Sequence, residues 1–370
     1  MRFVGHAEPT VGCEWELQLV RSTNFELADG ILALMEGLDK NALIKPEYLQ
    51  CCVELNTPPC DDAAGIEREL LRVLRKVSAK AGSIGLQLAG AGTHPFDQKS
   101  GIVTPSPRYL QMATGHSMMP VHPVTFATHV HVACVDGDSA IRAMRRLTPC
   151  LPVLLALGAN SPFWHGLDTR YLCFRQRLLA TNPTYGLPPY FDSWDDFNLM
   201  LSAARRSGTV ASFRDLHWDI RPHGDLGTLE LRVLDAQIDA RRVAQIAAFV
   251  RALVVVAAGA GTDDSEFMPR LPHWIELENH FRASKLGLDA ELVVSPSGDT
   301  EPTREVLERL FSVARPVADR LGDIRLLSTL EETLLDGNGA VRQRREWERR
   351  HSAEDVVSFL VLAIDAGRSG

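Results

Sequence analysis

Cysteine is scarce and carries no pairing pattern. Seven residues, at 13, 51, 52, 60, 134, 150 and 173, make an odd number with no C-x-x-C spacing. Neither a zinc knuckle nor a secreted disulfide framework is indicated, and reduced cytosolic thiols are expected. Long apolar runs are missing too. The most apolar one, ALVVVAAGA at 252–260, is too short to span a bilayer and follows Arg251, so a buried helix is expected there, and MRFVGHAEPT at the start has no apolar signal core. The expectation is therefore a cytoplasmic protein with no membrane partner. Basic excess is absent as well: Lys plus Arg total 39 against 47 for Asp plus Glu, a net charge of -8, which argues against nucleic acid as a partner. Arg342, Arg344, Arg345, Arg349 and Arg350 do cluster, but Glu346 and Glu348 interrupt them, as on a solvated helix face. No linker, repeat or low-complexity segment divides the 370 residues, whose 45% apolar content suits a sizeable core. One domain spanning 1–370 is expected.

What is present is alternation. Strand candidates at 11–20, 48–57, 84–91, 124–135 and 226–234 show period-two or β-rich composition, and the 3.6 period marks helices at 63–81, 138–157, 194–206, 240–258 and 304–321, with several short helices over 323–366. The chain beyond about 240 reads as mostly helical. Several strands are half polar, whereas a doubly wound parallel sheet would show nearly continuous apolar strands. The expected class is therefore α+β: a mostly antiparallel sheet with helices on one face and a site on the other. The stretch 93–123, rich in Gly, Pro, Ser and His, reads as a loop over that site.

The half-polar strands carry chemistry on one side. In THVHVACVD at 128–136, His129 and His131 share a face and Val130 and Val132 take the other. In CEWEL, Glu14 and Glu16 flank Trp15; in CVELNT, Glu54 and Asn56 lie opposite Val53 and Leu55; in TLELRV, Glu230 and Arg232 oppose Leu229, Leu231 and Val233. Any one of these strands also fits a solvated outer face. Together, the carboxylates, imidazoles and guanidinium are the hard oxygen and nitrogen groups expected around Mg²⁺ or Mn²⁺ beside a polyphosphate, because a shared cation removes their mutual repulsion.

The order of motifs then carries a resemblance: ExE at 14–16, VELNTP at 53–58, GTHPF at 92–96, THVHV at 128–132, ANSPFWHGLDTRY at 159–171, DLHWDIRP and GTLELRVLD within 215–235, and more weakly GNGAVRQR at 337–344. The series resembles the bacterial type 2 glutamate-cysteine ligase family, also called carboxylate-amine ligases. The resemblance implies a glutamine-synthetase-like catalytic fold, a curved antiparallel sheet forming a funnel with ATP and metal ions on its concave face. It also implies the reaction: ATP phosphorylates a carboxylate, and an amine attacks the acyl phosphate to give an amide. Glutamate and cysteine, or other amino compounds, are the implied small-molecule partners, with a homodimer as the commonest assembly for a soluble enzyme.

Carried over by motif, Glu14, Glu16, Glu54 and Glu230 become candidate metal ligands, and His129 a contact to metal or nucleotide phosphate, with His131 beside it. Arg232 is a candidate for the γ-phosphate, and Arg221 in DIRP for phosphate or substrate carboxylate. Arg170 and Arg175 flank DTRY and are candidates for gripping a carboxylate; His94 and Arg108 are candidates for closing over substrate. For each arginine an ordinary ion pair is the competing reading. Trp15 replaces the middle acid of the E-E-E that many relatives carry, and alternation turns it toward the helix-packed face; Gln50 stands where some relatives carry an acid. Asn160 and Ser161 read as a helix stop before Pro162, and Cys51, Cys52 and Cys134 as small core residues. Two alternatives remain: a metal-dependent amidohydrolase, which would need eight βα units, and a regulatory protein that keeps the nucleotide site without turnover.

Overall fold

The computed structural model describes residues 1–38, 43–115, 124–180, 184–334 and 336–369. Seven strands form the main sheet: β1 (Val11–Arg21), β2 (Ile44–Pro46), β3 (Cys52–Asn56), β4 (Leu86–Ala89), β5 (Thr128–Ala133), β6 (Ile220–His223) and β7 (Thr228–Leu231). Their order is β6-β7-β5-β1-β3-β2, with β4 also on β1, and every pairing is antiparallel. This is the expected α+β class. The parallel barrel that the amidohydrolase alternative required is not what these strands form.

Among the described residues, the helices longer than five residues are α1 (Ala63–Ser83), α2 (Pro107–Gly115), α3 (Gly137–Leu147), α4 (Leu151–Leu157), α5 (Trp194–Arg206), α6 (Ala240–Ala258), α7 (His273–Leu286), α8 (Thr303–Arg320), α9 (Ile324–Leu334), α10 (Gly339–Arg350) and α11 (Ala353–Ser369). Trp15, Leu17, Val53, Leu55, Val130, Val132, Leu229 and Leu231 are all at most 1% exposed, on the face that α1 and α6 cover. Asp62 and Asp239 start those two helices by accepting the N–H groups of Gly65 and Arg242. Helix α6 contains most of the apolar run read from the sequence and is buried nearly all round. No helix among the described residues is long and apolar enough to cross a membrane.

Three strands are shorter than expected, Cys52–Asn56 for 48–57, Leu86–Ala89 for 84–91 and Thr128–Ala133 for 124–135, and three further differences have identifiable causes. The helix read over 138–157 is two helices joined by a 3-10 turn at Thr148–Cys150, because Pro149 and Pro152 each remove a backbone donor. The strand read over 226–234 stops at Leu231, where the Arg232 N–H turns to the Asp219 carbonyl at 2.8 Å. The loop read over 93–123 contains α2, started by Ser106, whose hydroxyl accepts the Tyr109 N–H at 3.2 Å, with Pro107 as the first helical residue. The rest of that stretch, 116–123, lies outside the described residues.

Candidate active site

The register of the antiparallel ladders, which alternation alone does not set, lines up the polar side chains. Glu16 pairs with Glu54 and Glu54 with Lys45; Glu14 pairs with Asn56 on one side and His129 on the other; His131 pairs with Glu230, and Glu230 with Arg221. Opposed residues in such a ladder share a face. A diagonal band of charge therefore crosses the sheet from β2 to β6, on the side away from α1 and α6.

Among the described residues, two groups of potential ligands sit in this band. Single side-chain atoms of Glu14, His131 and Glu230 all lie within 4.8 Å of one another, and so do those of Glu16, Glu47 and Glu54. At that separation, two bare carboxylates repel by about 3 kcal/mol for an effective dielectric of about 20, so three cannot all stay charged without protons or cations. The second group shows the strain. Burial and the neighbouring Glu54 push Glu16 up to about 7, and burial with Glu54 and Glu16 pushes Glu47 well above the carboxylate range. Glu54 is raised by burial and Glu14, although Lys45 Nζ lies 3.3 Å from it.

In the first group, charges of opposite sign win. Burial raises Glu14, but the hydrogen bond from His129 and the close approach of His131, whose Nε2 lies 3.7 Å from Glu14 Oε1, outweigh it and hold the carboxyl well below its usual range. Burial likewise raises Glu230, and the guanidinium groups of Arg221 and Arg232 overcome it. Arg221 grips Glu230 Oε2 through Nε and NH2 at 3.0 and 2.7 Å, and Arg232 NH1 bonds Glu230 Oε1. His129 Nδ1 is 3.0 Å from Glu14 Oε2, and burial with Arg232 holds this imidazole down to about 4. His131 goes the other way: burial lowers it, but Glu230 and Glu14 bring it above its usual value.

These residues fit a divalent cation. The Nε2 atoms of both histidines are buried and, among the described residues, without a hydrogen-bond partner, and the crowded oxygens are hard donors. Of the two imidazoles, His131 belongs to a ligand group, while His129 hydrogen-bonds to Glu14. Glu47, in the turn between β2 and β3, went unnoticed in the sequence because it lies on no alternating strand.

The band lines a cavity of about 520 Å³. Arg175, Arg221, Arg232 and Arg108 reach it, as do Tyr109 and Met112 of α2. Arg170 and His94 are not among its lining residues. Arg170 is exposed at a φ of 62°, its N–H bonded to Asp168. His94 is buried, with Nδ1 accepting the N–H groups of Phe96 and Asp97 at 3.3 and 3.0 Å and Nε2 at 2.9 Å from the Phe25 carbonyl. Gln50 donates to the Val103 carbonyl at 3.2 Å, and Trp15 donates to the Gln237 carbonyl at 3.0 Å on the helix side. A further pair missed in the sequence lines the cavity: the rings of Tyr185 and His217 stack at 4.6 Å and 8°. Their two-residue strands pair in parallel outside the main sheet, which no period could reveal.

The sequence profile of glutamate-cysteine ligase family 2 matches residues 10–361. A protein of Trichormus variabilis, provisionally named glutamate-cysteine ligase 2, is 37% identical over 368 residues, covering 99% of this chain and 95% of that protein. One of the same provisional name from Thermobifida fusca is 33% identical over 365 residues, covering 97% and 91%. Among solved structures, a glutamate-cysteine ligase of Francisella tularensis in complex with AMP superposes with a TM-score of 0.69 at 12% identity, covering 100% of this chain and 91% of that one. A bifunctional glutathione synthetase of Pasteurella multocida gives 0.66 at 14% identity, covering 98% and 53%. At such identities the structural likeness speaks for the fold.

Proposed function

We propose a specific reaction from the premise that this chain belongs to glutamate-cysteine ligase family 2 and is an ATP-dependent carbon–nitrogen ligase. A carboxylate, the γ-carboxylate of glutamate as the family name suggests, takes the γ-phosphoryl group of ATP. ADP leaves with the electron pair of the broken P–O bond; the amine of cysteine or another amino compound then attacks the acyl carbon and gives up a proton to solvent, and phosphate leaves with the electron pair of the broken C–O bond. The observation that carries this reading is the juxtaposition, in one cavity, of two ligand groups, the buried guanidinium groups of Arg175 and Arg221, and the half-buried one of Arg232.

Phosphorylation is needed because a carboxylate has no leaving group, and it brings two anions together. Magnesium or manganese held by Glu14, His131 and Glu230, and by Glu16, Glu47 and Glu54, would neutralise phosphate charge at this face. The protein's own cations share that task. Arg232, fixed against Glu230, presents a guanidinium whose protonated form burial opposes but Glu230 and Glu14 stabilise, so its charge is permanent. We assign it to the transferring phosphoryl group. Arg221 spends its donors on Glu230 and on the carbonyls of Arg214 and Leu216, at 3.1 and 2.8 Å, so its role is to hold Glu230 and its loop. The Arg175 Nε is buried and has no partner among the described residues, and we assign this side chain to the substrate carboxylate. Phe126, Leu179, Tyr109 and Met112 supply apolar wall, which limits water that would hydrolyse an acyl phosphate. One hydrophobic cluster includes residues from Val11 to Ile364, which supports reading the chain as a single catalytic domain.

The test is ADP release from purified protein with Mg-ATP, screened across amino acids paired with amines, with mass detection of products. An ADP signal that needs one carboxylate and one amine, with the matching amide mass, is expected. Binding of Mg-ATP with no turnover in any pair would instead favour the regulatory reading, and neither binding nor turnover would remove the ligase reading.

A further inference from the structure

Four motifs are not used by the carboxylate face: GTHPF, ANSPF, the Asp235 end of GTLELRVLD, and GNGAVRQR. Far apart in the chain, they converge on one carboxyl group. Asp235 is 0% exposed. Its Oδ2 accepts the Asn160 backbone N–H and the Ser161 hydroxyl, both at 2.7 Å, and its Oδ1 accepts the Cys173 thiol at 3.2 Å. Gly92 lies so close that a Cβ there would stand 2.5 Å from Asp235 Cγ. Behind this, the Asn160 carboxamide donates to the carbonyls of Gly90 and Ala236 at 3.0 and 2.7 Å and accepts from Gln343 Nε2 at 2.7 Å. Gly339 is required for that approach, since a Cβ would fall 2.1 Å from Asn160 Oδ1.

So much chain is committed to placing one buried charge that its counter-charge becomes the question. Among the described residues, the cation in ion-pair range is Arg175, whose NH1 is 3.9 Å from Asp235 Oδ1. That is too long for a hydrogen bond but close enough for strong attraction in a buried setting. The backbone is tied as well: the Arg175 N–H donates at 3.1 Å to the same Ser161 hydroxyl that donates to Asp235. Arg175 thus lines the cavity with its charge aimed but its donors largely unspent; NH1 reaches the Leu234 carbonyl at 3.4 Å and Nε has no partner. A carboxylate that bonded the guanidinium directly would occupy the fork that a ligand needs.

We propose that Asp235 is a positioning residue: it orients Arg175 through charge and through the Ser161 hydroxyl, so that the guanidinium meets the substrate carboxylate with its donors free. This rests on the reading that Arg175 binds that carboxylate. A purely structural knot would need polar groups here but no charge, and that difference is measurable.

Steady-state kinetics of the full chain with Mg-ATP and the substrate pair from the screen should be compared for wild type, Asp235→Asn, Arg175→Gln and the double variant. Losing an interaction with a charged group predicts that Asp235→Asn raises KM for the carboxylate substrate about tenfold. KM for ATP should stay within about twofold, as expected for a residue acting on one substrate's anchor only. In the Arg175→Gln background the same change should add nothing, because the residue it acts through is gone. If Asp235→Asn leaves the carboxylate KM unchanged, or if the two effects multiply, the proposal is overturned. Should Asp235→Asn not fold, Ser161→Ala removes one link only; it should raise the same KM less and leave that for ATP alone, and an unchanged carboxylate KM would again overturn the proposal. If Arg175→Gln by itself does not change that KM, the assignment of Arg175 fails, and the inference with it.

Discussion

Replacing Glu16 by Gln should stabilise the metal-free protein while weakening its response to metal. In the fold, burial and Glu54 raise the Glu16 carboxyl from 4.5 to about 7, so at pH 8 the ionised group carries a cost that the unfolded chain does not. At 1.36 kcal/mol per pH unit, the interval sets a ceiling of about 3 kcal/mol, reached above pH 7 and vanishing below 4.5, where the group is protonated in both states. Gln can still accept the Ala127 N–H that Glu16 Oε2 now accepts at 2.6 Å, so little is lost in exchange. Allowing for relaxation and shared titration with Glu54 and Glu47, a gain of about 1–2 kcal/mol is expected at pH 8, and none at pH 4. The assay is urea unfolding with EDTA at both pH values, repeated with Mg²⁺ or Mn²⁺ at pH 8. Wild type should gain stability with metal by mass action, and Glu16→Gln should gain much less. A variant less stable than wild type in EDTA at pH 8, or one stabilised equally by metal, would refute the argument that these carboxylates are held together for a cation.

Glu230→Gln strips Arg221 and Arg232 of their buried counter-charge; ADP release should fall at least about 100-fold and urea unfolding should show a loss of about 3 kcal/mol. His94 provides a pH signature outside the carboxylate band. Burial holds its imidazole down to about 4, so its contribution is full above 6.5 and is lost as pH falls toward 4, up to about 3 kcal/mol; His94→Gln should flatten the unfolding midpoint between pH 7 and 4.5. Trp15, with no exposed surface, should cost about 3–5 kcal/mol when cut to Ala, whereas Trp15→Phe should unfold at a higher urea concentration than Trp15→Ala and keep ATP turnover within about threefold.

The alternation of Glu14 with Trp15, or Val130 with His131, made the open face legible, because a strand's period decides which side a residue takes. Register was not legible, and it decides which groups meet. Two histidines two residues apart look equivalent in sequence, yet Glu14 stands opposite His129 and Glu230 opposite His131, so one imidazole braces a carboxylate and the other joins a ligand group. Arg170 and Arg175 also looked interchangeable around DTRY. The chain reverses at Arg170 with a positive φ, leaving it exposed, while Arg175 opens the short helix Arg175–Leu179 at the cavity. Glu47 and the Tyr185–His217 stack sit in turns and two-residue strands, where no periodic signal exists.

The most direct test of the central claim follows the carboxylate oxygen. With the substrate pair from the screen and ¹⁸O placed in the carboxylate, formation of an acyl phosphate requires that one labelled oxygen leave with each phosphate released alongside amide. Mass analysis of the phosphate should show one ¹⁸O per molecule; phosphate without label, formed at the same rate as ADP, would contradict the account.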